Sequence, residues 1–310
     1  MAIQRSQLKG HKDSVLTLCA DGDRLASGGA DGSCRLWDLR CTPRRSVRAA
    51  LLKDEVSAVA ISPTRLELLL AAVGGKVLGF DLRSEKVLLQ EPSGERDLAR
   101  DEINQISIDH AGHLCAVAED AGPVHLLDLN TWRVDKTLAG KAGHDNICSC
   151  VAWKPGRDWT LASGGLDAAV VFWQRSGRGR KVLMQQDLGE ESATATGPQL
   201  LNPPFVHSLA YLPDETLAAG LGDGTVALLE ERRPSARLRG HAAAVAQVVS
   251  SPMGLISAGN DLQVILWSGS REASLQWSHH EKINWLASSE SRLCVCGLSN
   301  EITIYEGLDR

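Results

Sequence analysis

At 310 residues, 43% hydrophobic and 23% charged, the chain has the composition of a protein that buries a sizeable core, which excludes wholesale disorder. Lys and Arg number 33 against 38 Asp and Glu, a net charge of −5, so the surface offers no strong positive field to a nucleic-acid backbone. No apolar run approaches the roughly 18 residues of a membrane helix, and the opening MAIQRSQLKGHKD lacks the apolar stretch of a secretory signal. A cytoplasmic or nuclear location follows, with the 8 cysteines as free thiols. Cys148 and Cys150, like Cys294 and Cys296, fall in strand-like runs and not on the C-x-x-C turns of zinc knuckles.

In chain order, Ile3 to Leu8 form a strand that precedes any repeat. A unit of four short runs then begins at Val15, followed by Leu18; its second run is DRLASGG and its third, SCRLWDLR, contains Trp37. The unit recurs with starts at Val56, Ile103 and Cys148, each followed three residues on by Val59, Ile106 or Val151, and with Phe80, Leu127 and Trp173 at the Trp position. Residues 185–204 then read as a loop insertion, acidic at first and ending in LLNPP. Three further units start at Val206, Val245 and Ile283, with Leu209, Val248 and Leu286 behind them and Leu229, Trp267 and Tyr305 as their marks. Seven marks, about 45 residues apart on average, with turns every 8–12 residues and no helical periodicity, predict an all-β chain. The seventh unit has three strands and no fourth, which Ile3 to Leu8 is placed to supply.

Periods of this length with Gly-His and Trp-Asp signatures resemble the WD-repeat family over nearly the whole chain. The strings GHDNICSCVAW, GPQLLNPPFVHS and EKINWLAS narrow the resemblance to one member of the family. It implies a single seven-bladed β-propeller over residues 1–310, with one blade built from both termini and closed noncovalently.

His11, Ser27 and Asp31 stand in an order that suggests a hydrolase triad. With Trp37, however, they recur as His144, Ser163, Asp167 and Trp173, and again as His241, Ser257, Asp261 and Trp267. A nucleophile needs a single cleft and an oxyanion hole, so three copies mark a structural part and the chain is expected not to be an enzyme. The resemblance implies that each set is a buried hydrogen-bonded tetrad. No Gly-His precedes units two, three, five and seven, which are left to apolar packing. The remaining histidines, His110, His113, His125, His207, His279 and His280, show no zinc-ligand spacing; His279 and His280 fall where a Gly-His belongs and read as a loop contact. SGGADG and LGDG are turns, not phosphate cradles. No cofactor or metal is expected.

Two stretches suggest partners. Trp37-Asp38-Leu39-Arg40 is an intact WDxR and Phe80-Asp81-Leu82-Arg83 its near-copy, whereas Leu127-Asp128-Leu129-Asn130 lacks the arginine. By resemblance, Trp37, Asp38, Arg40, Phe80, Asp81 and Arg83 form the box by which WD-repeat proteins dock on the damaged-DNA-binding adaptor of cullin-4 ubiquitin ligases, the aromatic staying in the blade. Trp-Asp is also the family's own signature, so a plain scaffold binding peptides in another complex stands as the alternative. A second surface is expected at the channel mouth, where Glu55, Glu102, Asn104, Phe205, His207, Asn284 and Trp285 lie at or beside strand starts. The run RSGRGRK, Arg175 to Lys181, reads as a solvated turn or a weak nuclear signal. The sequence thus describes a non-catalytic adaptor that is monomeric within a larger complex. It binds proteins, among them an unnamed substrate, rather than nucleic acid or membrane.

Overall fold

In the computed structural model, which describes residues 3–41, 46–65, 67–156, 160–184, 202–269 and 271–308, 28 strands form seven antiparallel sheets of four. Most of the expected 185–204 insertion lies outside the described residues. Strand β1 (Gln4–Lys9) precedes blade one, which is β2–β5 (Val15–Asp21, Arg24–Gly29, Ser33–Asp38, Ser46–Leu51). Blade two is β6–β9 (Ala58–Ile61, Leu68–Val73, Lys76–Asp81, Gly94–Asp97), and blade three β10–β13 (Ile103–Ile108, Leu114–Glu119, Val124–Asp128, Arg133–Leu138). Blade four is β14–β17 (Cys148–Trp153, Leu161–Gly165, Ala169–Trp173, Gly179–Leu183), and blade five β18–β21 (Val206–Tyr211, Leu217–Leu221, Thr225–Glu230, Arg233–Arg239). Blade six is β22–β25 (Val245–Ser251, Gly254–Gly259, Gln263–Trp267, Ala273–Ser278), and β26–β28 (Ile283–Ser289, Arg292–Gly297, Glu301–Glu306) belong to blade seven.

The hydrophobic pattern dictates this stacking. Middle strands such as β16, AVVFW, are buried on both faces and read as unbroken apolar runs, whereas the outer β13 and β25 alternate with exposed positions. A sheet apolar on both faces must be sandwiched, and each blade is: seven apolar clusters occupy the seven junctions between neighbours. First strands touch in turn from β2 round to β26, which returns to β2, and the ring is closed. As the sequence predicted, β1 supplies the fourth strand of blade seven, pairing with β28 from Gln4↔Glu306 to Lys9↔Glu301. Its one fully buried side chain, Leu8, enters a cluster with Val15, Leu25 and Trp37 of blade one and Ile302 and Ile304 of blade seven.

Local devices shape individual blades. Six of the seven inner strands carry a bulge just after their first residue, as between Val15 and Thr17 or Ile103 and Gln105. A bulge re-aims the residue within it. Trp132, held at φ 55 beyond β12, lays its indole on blade two, where Gly79 and Gly94 face each other across the ladder. A Cβ on Gly94 would lie 2.0 Å from that ring, so only glycine admits the wedge. In addition, the chain beyond β8 runs along the outer edge of blade one, where Ala49 donates to the Val87 carbonyl (2.9 Å) and accepts from Leu89 (2.8 Å). This shields an otherwise open edge strand.

Candidate functional site

The three repeated sets assemble identically. In blade one the Trp37 indole N–H donates to Ser27 Oγ (2.8 Å), Ser27 lies 2.7 Å from His11 Nε2, and His11 Nδ1 is 3.1 Å from Asp31 Oδ1. Blade four repeats this with Trp173 on Ser163 (2.8 Å), His144 on Ser163 (2.8 Å) and on Asp167 (2.9 Å). In blade six Trp267 and His241 each lie 2.8 Å from Ser257, and His241 lies 3.0 Å from Asp261. The directions follow from donor supply: His Nδ1–H gives to the carboxylate, Nε2 accepts the serine proton, and the serine accepts from indole. Each hydroxyl is thus saturated, and Ser27, Ser163 and Ser257 are fully buried. Their burial leaves them no substrate to attack. The preceding turns leave room for the imidazole: a Cβ on Gly29, Gly165 or Gly259 would come within 2.5–2.8 Å of both the His and the Asp.

Electrostatics favours the same wiring. Burial alone would raise the Asp31 carboxyl, but N–H from Lys12, the Ser33 hydroxyl, His11 and the Ser33 N–H outweigh it and bring it down to about 2. Burial lowers the His11 imidazole, only partly opposed by Asp31, which keeps it neutral. Asp167 is likewise lowered against its burial by His144 and by Lys181, whose Nζ reaches across from β17 at 2.7 Å.

The two Asp–Arg motifs form matching forks at the turns after the third strands. Arg40 donates Nε to Asp38 Oδ1 (3.0 Å) and Nη2 to Oδ2 (2.7 Å); Arg83 does so to Asp81 at 3.0 and 2.6 Å. In both, the same aspartate also caps the arginine's own N–H. The Arg40 hydrogen bond holds Asp38 down at about 2, and Arg83 lowers Asp81 likewise. The arginine side chains are 69% and 74% exposed. Trp37 and Phe80, grouped with them from the sequence, are each 1% exposed. They therefore anchor the turn from within and have no surface for a partner. Blade three keeps the Asp128 cap on Asn130 N–H (2.8 Å), and the guanidinium at its turn comes instead from Arg65 of blade two, which donates to the Leu129 carbonyl (3.2 Å).

At the channel mouth the predicted residues divide. Asn104, in the bulge of β10, donates to Asp120 (2.8 Å) and to the Cys148 carbonyl of blade four (3.0 Å). Asn284, in the same place on β26, donates to the Val15 carbonyl of blade one (3.1 Å) and to Gly297 (3.0 Å). Their amide donors are consumed in stapling neighbouring blades, as the Ser149 hydroxyl is on Val206. Trp285 packs against the cluster joining blades seven and one, and Phe205 and His207 are half-buried. Glu55 and Glu102 remain exposed and adjacent; burial, then the charge and hydrogen bond of Glu55, and then Asp120 raise Glu102.

Comparison with known proteins agrees with this geometry. Residues 3–38 and 135–174 match the WD domain, G-beta repeat family. The chain superposes on the WD40 β-propeller domain of Doa1 with a TM-score of 0.78 over 97% of this chain and 95% of that one, at 17% identity. The chain is a seven-bladed WD40 β-propeller. WD repeat-containing protein 53 homolog of Dictyostelium discoideum is 25% identical over 97% of this propeller and 94% of its own length. THO complex subunit 3 of Arabidopsis thaliana (28% identical) matches 55% of this chain and 51% of its own length, and Striatin-4 of Mus musculus (26%) matches 71% and 28%. The propeller thus spans about half or less of these last two.

Blades without the full tetrad are wired otherwise, which sequence reasoning missed. In blade seven His279 Nδ1 bonds the Tyr305 hydroxyl directly (2.8 Å), while Glu281 accepts from Ser299 N–H (2.8 Å) and Oγ (2.6 Å). The signal was there: Tyr305 stands at the Trp position and His279 in the Gly-His place. In blade three buried Glu119 accepts from Arg100 N–H (3.0 Å) with His125 Nε2 at 3.4 Å. In blade five Arg237 pairs with Asp223 (2.6 Å), in the register that Lys181 occupies in blade four. The propeller's cysteines carry no disulfide, and burial raises Cys34, Cys115 and Cys150 to about 12.

Proposed function

We propose that the propeller is a protein-interaction scaffold. The observation that carries this is the repetition of one saturated His–Ser–Asp–Trp network in three blades, which commits every triad-like set to rigidity and leaves the turns as the working surface. The fold class is typically non-catalytic and used for protein interactions. A relative whose name makes it a complex subunit, THO complex subunit 3, supports the reading. Kinship with WD repeat-containing protein 53 is supported by the full-length match to the Dictyostelium protein. The scaffold works as a monomer within a larger complex, in the cytoplasm or nucleus, with proteins rather than nucleic acid or membrane as partners.

A finer reading rests on the adjacent forks: Arg40 and Arg83 present equivalent, exposed guanidinium–carboxylate pairs from neighbouring blades to the damaged-DNA-binding adaptor of a cullin-4 ligase, for which the propeller receives a substrate. Affinity purification with identification of bound proteins tests both readings. Truncating a buried interfacial arginine costs about 2 kcal/mol or more, roughly thirtyfold in affinity. The Arg40→Ala, Arg83→Ala double variant should melt like the parent and lose the adaptor. An adaptor retained by that variant, or never bound by the parent, leaves the plain scaffold; a parent that recovers no partner at all removes the scaffold as well.

A further inference from the structure

The histidine of each tetrad stands four residues ahead of its blade's first strand, at His11, His144 and His241, and in blade seven that place is held by His279. Both ring nitrogens are taken in the tetrads, Nε2 by serine and Nδ1 by aspartate. Blade seven has neither partner. Val295 stands where Ser27 does, facing Leu286 across the ladder as Ser27 faces Leu18, and Ser299 falls where Asp31 does, two residues past the glycine that ends the second strand. His279 Nδ1 turns instead to the Tyr305 hydroxyl, so Nε2 is left buried with no hydrogen-bond partner among the described residues, on a side chain only 3% exposed. Burial keeps this imidazole neutral, and buried polar atoms are ordinarily satisfied.

Two further donor groups stand close by. In the turn between β25 and β26, one ligand atom each from His279, His280 and Glu281 lie within 4.8 Å of one another. Ser299 donates both its N–H (2.8 Å) and its hydroxyl (2.6 Å) to Glu281, which fixes that carboxylate in place as the Tyr305 hydroxyl fixes the His279 ring. Hydrogen bonds of this kind behind the ligands are what orient a metal site. His280 is the adjustable member: its side chain is 39% exposed, its Nε2 lies 3.9 Å from Glu281 Oε1, and its Nδ1 accepts from Arg5 Nη2 (2.8 Å). Adjacent histidines are not a zinc spacing in sequence. The fold of this turn is what brings the two rings together, with their centroids 4.3 Å apart.

We propose that His279 Nε2, His280 Nε2 and a Glu281 oxygen bind one zinc-class divalent cation, with water in the fourth place, as a clasp between the end of blade six and the start of blade seven. Two imidazoles and one carboxylate form a borderline donor set, suited to zinc and too poor in oxygen for magnesium or calcium. Bonds of about 2.0–2.1 Å place the ligand atoms of a tetrahedral set roughly 3.4 Å apart, so the turn closes by about an ångström, most of it at exposed His280. In His279, Nδ1–H donates to the Tyr305 oxygen and Nε2 carries the lone pair. In His280 the cation takes Nε2 in place of its proton, a proton returns to Nδ1, and Arg5 loses its acceptor and turns into the water to which it is already exposed. Arg5 is thus a competitor built into the site, and it ties the clasp to β1, the strand that closes the ring. The inference goes beyond the scaffold reading and does not depend on it.

Isothermal titration calorimetry of the untagged, chelator-stripped protein with zinc chloride tests it, with magnesium chloride as the control. The parent should bind one zinc per chain and no magnesium, and its Tm should rise by about 4 °C at a zinc concentration roughly a hundredfold above Kd. His280→Gln, at an exposed position that leaves the fold alone, and Glu281→Gln should each weaken binding by about tenfold or more. His279→Gln should abolish it. Arg5→Ala should bind zinc several-fold more tightly, because the substitution removes both a competitor for His280 and a like charge. Cys41→Ser, which removes an exposed thiol, should bind as the parent does. A parent that takes up no zinc, undiminished binding by His279→Gln and His280→Gln, loss of binding with Cys41→Ser, or weaker binding by Arg5→Ala overturns the proposal.

Discussion

Replacing Leu8 by alanine isolates the closure of the ring. Of the six residues of β1 only Leu8 is fully buried, so it is the side chain that ties the ladder with β28 into the core of the seam between blades one and seven, beside the more exposed contacts of Lys9 with Glu301 and Arg5 with His280. Truncating a buried leucine removes transfer energy and leaves a cavity, for a cost of about 2–5 kcal/mol. With an unfolding entropy of about 2.1 cal/mol/K per residue, a chain of this size changes by about 0.65 kcal/mol per degree, so a loss of about 3 kcal/mol lowers Tm by about 5 °C. Differential scanning calorimetry reads that shift, and hydrogen exchange reads where it falls: the Ile302 and Ile304 amides, on the strand that β1 covers, should exchange faster than those of β16. Leu51→Ala, at a position 63% exposed, is the control and should leave Tm within a degree. A Leu8→Ala protein that melts with the parent, or exchanges faster everywhere alike, refutes the idea that this seam is where the ring gives way.

The tetrads and their substitutes yield two more expected outcomes. His144→Ala should cost about 1–3 kcal/mol in urea unfolding. His241→Ala should cost more, because Lys181 still holds Asp167 whereas no Lys or Arg among the described residues pairs with Asp261; the reverse order removes the role given to Lys181. Burial, with help from His280 and Arg5, brings His279 down to about 4, against about 6.5 in an unfolded chain. As pH falls from 6.5 towards 4 the unfolded chain takes up this proton first, so stability falls through that window and His279 contributes no further loss below it. Urea midpoints at pH 7 and pH 5 should converge for His279→Gln relative to the parent, and equal differences for the two proteins refute the assignment.

What the sequence disclosed is what short windows encode. Turn glycines, alternation and the Trp position are local, so blade number, strand order and the capture of β1 by blade seven could all be read in advance. Contacts that cross from blade to blade could not. Asn104 and Asn284 looked like mouth residues because they sit at strand starts; the bulge that swings their amides onto the next blade is a property of paired strands, invisible in either alone. Lys181 reaches Asp167 only through the register of β16 with β17. Trp37 and Phe80 read as staying within the blade, and burial does separate them from Asp38 and Asp81 one residue later.

The indole of Trp132 gives blades two and three a common fate. Blade two has no imidazole network, and the paired glycines that receive the ring leave part of its own outer face without side chains. Its last strand cannot peel away without uncovering Trp132, and blade three cannot loosen its third turn without baring Gly79 and Gly94. Sub-global opening should therefore release the two as one cooperative unit, so that the ring comes apart in six pieces rather than seven.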